Sequence, residues 1–290
     1  MRRMIVVGLT FFLVVPALRP EISLKIRGGA NLIWPGDYNH GAEGRNAYVA
    51  SIASGSPEGE FGSFGPGWDI AGEALWSLNR YSSIGIEVGF LRFRTDSLIA
   101  YQYPTTSPTL LFGGATDEEA SISAVPVLFK VVYTRPISKA VSLFTGLGAG
   151  IFLCSFDYRY AFVGGYMGAT DWNETQTFTA TKTAFGAEGQ IGLNIPITKA
   201  VSAEFSVGGR WAKLSGLEGA WTDAGVSGGI SYASGGEDGF FSVWDYRGAD
   251  GKIYRFATFD SNVRLNQPNF RKGTFDLSGL FLNCGILITL

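Results

Sequence analysis

Charge is scarce in this sequence. Asp, Glu, Lys and Arg make up 17% of its 290 residues, where soluble domains carry about 25%. The net charge is −2, which excludes the basic surface that a nucleic-acid partner requires. Histidine is scarcer still, with His40 the only one. Catalysis through it would need an orienting acid and a nucleophile in reach. Asp37 and Glu43 are near it in sequence, but no serine motif accompanies them, and the chain reads as a non-enzyme. Only two cysteines occur, Cys154 and Cys284, which excludes a disulfide framework and a Cys/His metal cluster. The acidic runs Asp117-Glu118-Glu119 and Glu237-Asp238 read as solvated loop charges rather than calcium sites. No metal and no cofactor is expected. Beyond its first residues the chain has no run of about 18 apolar residues, so no transmembrane helix is expected either.

Those first residues read as an export signal. Arg2 and Arg3 form a basic flank, Ile5 to Val15 an apolar stretch, and Val15-Pro16-Ala17 a small-residue cleavage site. Residues 1–17 are therefore expected to be a signal peptide, and 18–290 one domain.

What the domain has in abundance is glycine and aromatic side chains, set in alternating segments. From Glu21 to Trp34, Ile22, Leu24, Ile26, Ala30, Leu32 and Trp34 share one face, and Ser23, Lys25, Arg27 and Asn31 the other. A period of two with charge on one face alone demands a sheet with one polar side. About 14 residues is long for a soluble strand and comfortable for a tilted membrane strand. Trp68 to Leu78 repeats the pattern. Ile84, Ile86, Val88 and Phe90 then oppose Glu87, and a one-residue slip of the β-bulge kind is expected at Leu91. Five further strands are expected around Val125–Tyr133, Leu143–Leu153, Phe185–Ile195, Ala203–Trp211 and Phe275–Leu290. On that map the two cysteines fall on the fifth and eighth strands, which are not neighbours, and no disulfide is expected.

Pro136-Ile137-Ser138-Lys139-Ala140-Val141-Ser142 and Pro196-Ile197-Thr198-Lys199-Ala200-Val201-Ser202 are nearly one sequence. Each is a short turn between alternating strands. With Asn79-Arg80-Tyr81-Ser82 they give three tight connections, against four long ones near 35–66, 96–120, 157–180 and 215–272. Short turns on one rim and long loops on the other predict an all-β fold: an eight-stranded antiparallel up-and-down transmembrane β-barrel with long extracellular loops. A β-sandwich has no reason to alternate so regularly. Phe240–Arg247 and Lys252–Phe259 flank Asp250-Gly251 as a further hairpin. It is expected above the membrane; were it to cross, the barrel would have ten strands.

The alternation assigns Lys25, Arg27, Glu73, Glu87, Lys130, Glu188, Glu204, Arg210 and Asp276 to the lumen. Eight strands enclose a space that side chains fill, so these charges are expected to pair into a plug. Trp34, Trp68 and Trp211 fall at the long-loop ends of their strands, and Trp76, Tyr81 and Tyr133 at the short-turn ends, as two interfacial girdles would. Loop aromatics such as Tyr38, Tyr158 and Trp221 are expected to form small cores of ordered loops.

The exported start, Val125-Pro126-Val127-Leu128-Phe129-Lys130-Val131-Val132-Tyr133 running into Thr134-Arg135-Pro136, Thr145-Gly146-Leu147-Gly148-Ala149-Gly150, and the closing Gly279-Leu280-Phe281-Leu282-Asn283-Cys284-Gly285-Ile286 resemble the small outer-membrane β-barrel family around the OmpA membrane domain, OmpX and OmpW. Leu290 stands where the family's closing aromatic would be. The resemblance implies a bacterial outer-membrane location. Its implied partners are outer-membrane lipid, the barrel-assembly machinery during insertion, and an unidentified extracellular ligand. The expected role is structural or surface interaction. The alternatives it brings are a narrow porin-like channel for small hydrophobic solutes and a lipid A-modifying enzyme using His40.

Overall fold

The computed structural model describes residues 21–53, 55–104, 111–166, 172–261 and 270–290; the expected signal peptide lies outside them. In chain order the elements are β1 (Ile22–Ile33), α1 (Asp37–Ile52), β2 (Glu58–Gly59), β3 (Gly67–Ser77), β4 (Ser82–Pro104), β5 (Leu111–Pro136), β6 (Ser142–Tyr166) and β7 (Trp172–Pro196). There follow β8 (Val201–Ser215), β9 (Glu218–Ser227), β10 (Ile230–Arg247), β11 (Ile253–Ser261), β12 (Arg271–Lys272), β13 (Thr274–Asp276) and β14 (Gly279–Thr289).

Eight strands close on themselves. β1 pairs with β3, and antiparallel pairing continues through β4, β5, β6, β7 and β8 to β14, which pairs back with β1. The β10–β11 hairpin stands outside this ring. Only the C-terminal half of β7, from Gly186, pairs with β8; its N-terminal half, Trp172–Ala180, pairs with β9. Above the ring, the sheet therefore runs on as β4–β5–β6–β7–β9–β10–β11.

The three short turns share one design. In Leu78–Ser82, Ile137–Val141 and Ile197–Val201, the first two backbone N–H groups donate to the carbonyl of the last residue, at 2.8 and 3.2, 3.0 and 3.1, and 2.8 and 3.0 Å. The side-chain oxygen of Asn79, Ser138 or Thr198 then accepts from a backbone N–H two residues on. Ser, Thr and Asn suit this position because they bond their own backbone two residues downstream. The sequence repeat is thus a repeat of turn chemistry, placed on one rim.

Much of the described part of the long connections is regular structure. Residues 96–104 and 111–120 continue β4 and β5, and 157–166 and 172–180 continue β6 and β7, so these strands reach 23 to 26 residues. Nor is there a β-bulge at Leu91. Leu91 pairs with Ala124 in the register that pairs Val88 with Val127. What changes there is chemistry. Below this level the outer face is apolar and the inner face charged; above it the outer face carries Arg92, Arg94 and Asp96, while Leu91, Phe93 and Ile99 are buried inside. The same inversion occurs on each long strand: Val125 gives way to Ser123, Leu153 to Ser155, and Phe185 to Thr183 on the outer face. The pleat keeps its period of two throughout, and an unchanged period with exchanged polarity looks like a slip in the sequence.

α1 sits in the mouth of the ring. Tyr38, Ala42, Arg45 and Val49, spaced four, three and four, are all buried, as one helical face requires. Ala42 and Val49 pack with Phe61 and Ile99. On another side, Gly41 and Gly44 approach β11 so closely that a side chain at Gly44 would overlap the Arg255 carbonyl. Gly44→Val is expected to detach α1 and cost about 1–3 kcal/mol. Limited proteolysis should then cut within residues 37–52 of the variant and spare the wild type. Equal resistance in both would overturn the need for that close contact.

Candidate functional site

Lys25 and Arg27 lie two apart on β1, Asp69 and Glu73 four apart on β3, and Glu204 and Arg210 six apart on β8, so each pair shares a face. All six are buried and face inward, as do Glu87, Lys130 and Glu188. Pairing places Glu73 opposite both Lys25 and Glu87, and Glu188 opposite Arg210. Lys130 and Glu188 both have Gly148 as their Cα partner. With no side chain at that position, they meet across β6.

The result is a network of four cations and five carboxylates. Lys130 Nζ lies 2.7 Å from Glu87 and 3.2 Å from both Glu73 and Glu188. Arg27 reaches Glu188 at 2.7 Å, Glu87 at 2.8 Å and Glu73 at 3.2 Å. Lys25 pairs with Glu204 at 2.8 Å and Glu73 at 3.3 Å. Arg210 pairs with Glu188 at 3.3 Å and donates to Asn31 at 2.9 Å. Glu73 and Glu87 stand directly opposite each other, a destabilising arrangement for like charges; Lys130 and Arg27 bridge them. Aromatic rings close the layer: Phe144 lies under Lys25, and Phe281 against Arg27 and Arg210. Such neighbours lower the local polarity and make an unpaired charge costly.

Asp276 does not join this layer. It lies on β13 opposite Lys213, with which it pairs at 3.5 Å, and its inward neighbour is Phe275. Its even number already gives it the parity of Leu280 and Leu282 on the outer face. Conversely Asp69, 3.7 and 3.9 Å from Arg210 and Arg27, belongs to the network. Its position four before Glu73 was the signal for it. Trp34, Trp68, Trp76, Tyr133 and Trp211 are exposed on the outer face, and Tyr81 is half-buried. Cys154 faces inward on β6, while Cys284 is exposed on β14.

A second cluster lies above the plug, under α1. Arg45 grips Glu118 of β5 with two bonds, 2.5 and 2.8 Å, and the Tyr38 hydroxyl donates to the same carboxylate at 2.7 Å. Burial pushes the Tyr38 and Tyr158 hydroxyls well above their ordinary pKa, and the Glu118 charge adds to it. At the start of α1, burial would raise the Asp37 carboxyl; hydrogen bonds from Arg271 and the Thr274 N–H outweigh this and hold it below the usual range. Asp37 is thus committed to Arg271, and its neighbour His40 is exposed. The sequence reading missed this cluster, because its residues lie in segments taken for loops. The spacing of Tyr38, Ala42, Arg45 and Val49 was the available signal.

Over this cluster opens a cavity of about 620 Å³, within the range of small-molecule sites. Its sheet wall is built in rows of Cα partners on the inner face: Tyr158–Phe178–Trp221, then Tyr160–Gln176–Asp223, then Phe162–Glu174–Gly225. Tyr48 and Arg45 of α1 and Phe259 of β11 line it from the other side.

No protein-family model matches the sequence, and no curated protein matches it. Solved structures similar to it include a major outer membrane protein from Thermus thermophilus, at 12% identity and a TM-score of 0.36, covering 94% of this chain and 100% of that one. The Escherichia coli outer membrane protease OmpT is similar at 10% identity and a TM-score of 0.28, covering 95% and 100%. The translocator domain of the autotransporter NalP from Neisseria meningitidis is similar at 9% and 0.19, covering 99% and 94%. At likenesses this low, it is the chain's own surface and interior that carry its reading.

Proposed function

We propose that this chain is an eight-stranded outer-membrane β-barrel with a lumen sealed by its ion-pair plug, serving a structural or surface-interaction role. The observation that carries this reading is the exchange of polarity between the two faces of the wall. Where the outside is apolar, the inside is charged; where the outside turns polar, most of the inward side chains, such as Leu91, Phe93, Ile122, Phe156 and Phe178, are apolar. An apolar outer belt needs an apolar surrounding. On β7 the belt runs from Phe185 to Ile195, ten steps of about 3.3 Å, and a strand tilt of about 40° makes that roughly 25 Å tall. A bilayer's hydrocarbon layer is matched by such a belt. Arg92, Arg94 and Arg159 on the outer face just above it suit anionic lipid headgroups. The strands and α1 above the belt form the outward-facing part.

The plug argues against conduction, since a solute would have to displace charges such as Lys130, Arg27, Glu73 and Glu188, each of which holds two or more partners. Purified protein in planar bilayers is expected to give no conductance steps, and its migration on a gel is expected to shift on heating. Discrete single-channel steps would overturn the sealed lumen, and heat-insensitive migration the barrel. The same reading makes the protein non-catalytic, with lipid A chemistry unaffected by it or by its His40→Ala variant.

A further inference from the structure

We infer that the cavity over α1 is a binding site for a small organic cation: an ammonium or amine carrying an apolar body. This deepens the surface-interaction reading, and rests on it only for the side of the membrane from which the ligand comes.

Three observations point to this class. The cavity is walled by aromatic rings, with Tyr48, Tyr158, Tyr160, Trp172, Trp221 and Phe259 on several sides. Faces of aromatic rings attract cations and accept flat or bulky apolar groups. Its described lining is acidic. Glu174 and Asp223 line it, and Arg45 is the only cation among its described lining residues. Arg45 is already bound by the two-bonded Glu118 beneath it, which leaves Glu174 and Asp223 as the other charged groups of the described lining. Finally, Trp221 is buried, and its Nε1 has no hydrogen-bond partner among the described residues. A buried donor left without an acceptor is disfavoured, and a hydroxyl or carbonyl on the ligand body would satisfy it.

An anion would meet the two carboxylates and find its natural partner, Arg45, taken. A neutral sugar could stack on the rings but would gain nothing from the carboxylates. A cation gains from both. Near the rim, the carboxylates are held by neighbours: the Trp172 indole and Asp223 both hydrogen-bond with the Tyr232 side chain, and Gln176 donates to Glu174. The site is therefore formed before a ligand arrives.

The test is tryptophan-fluorescence titration of the purified protein in an uncharged polyoxyethylene detergent. The probes are benzyltrimethylammonium, its neutral carbon isostere and maltose. The cation is expected to bind saturably, at least tenfold more tightly than either neutral probe. The double variant Glu174→Gln, Asp223→Asn should lose at least tenfold in affinity for the cation while still shifting on a gel when heated. Equal binding of a neutral probe, unchanged affinity in the folded double variant, or no saturation by the cation below about 5 mM would overturn the inference. Exclusion of a fluorescent ammonium from the site in intact cells, with binding retained in detergent, would instead count against the outward orientation alone.

Discussion

Lys130→Met is expected to lower the folding stability of the protein by about 3–5 kcal/mol, the cost of removing one partner from a buried charge network. Lys130 is fully buried and touches Glu73, Glu87 and Glu188. Met fills a similar volume, so little packing is lost; what remains is three carboxylates facing one another with Arg27 as their shared cation. Lys130→Arg keeps the charge but not the length, and should cost less. Combining Lys130→Met with Glu87→Gln should recover part of the loss, because the second change removes one of the stranded charges. Urea titration of refolding into lipid vesicles, followed by the heat-dependent gel shift, measures each variant. A loss under about 1 kcal/mol in Lys130→Met would mean that water reaches the plug and screens it, and the sealed lumen would fall with it.

The second large effect concerns the outer face. Leu147→Arg is expected to cost about 2–4 kcal/mol, the penalty for a cation near the middle of a bilayer. Leu147 is 71% exposed, at the middle of the apolar belt on β6. Thr179→Arg, on the outer face of β7 above the belt, is expected within about 0.5 kcal/mol of wild type, as for most surface changes. In a water-surrounded protein the two should be equally harmless, since both side chains point away from the core. The same vesicle titration compares them. Equal effects would remove the membrane from the account of this protein.

The sequence reading and the structure part company at specific residues. The Leu91 bulge was inferred because the apolar face changed sides, and the alternation of Leu91, Phe93, Thr95 and Ile99 against Arg92 and Arg94 is in fact unbroken. A local pattern reports which residues alternate, not what surrounds each face. Residues 96–104, 111–120, 157–166 and 172–180 read as loops because many outward side chains, such as Asp96, Asp117, Glu119, Asp157, Thr175 and Thr177, are polar. Strand pairing with β9 and with each other holds them extended. Asp276 shares the parity of the outward Leu280 and Leu282, and the structure pairs it with Lys213 instead of the plug.

Facing and turning are local properties of this chain. The pleat sends odd and even side chains to opposite sides, so the inward charges and outward tryptophans are written in the alternation. The turn residues Asn79, Ser138 and Thr198 bond their own backbone, so the short rim is written there too. Which charges meet depends instead on register carried strand by strand around a closed ring, and on a glycine at 148 that leaves room between Lys130 and Glu188. The seating of α1 in the mouth, and the cavity it bounds with β6, β7, β9 and β11, depend likewise on contacts between residues more than two hundred positions apart. No spacing along the chain encodes those contacts, and only the tertiary structure decided them.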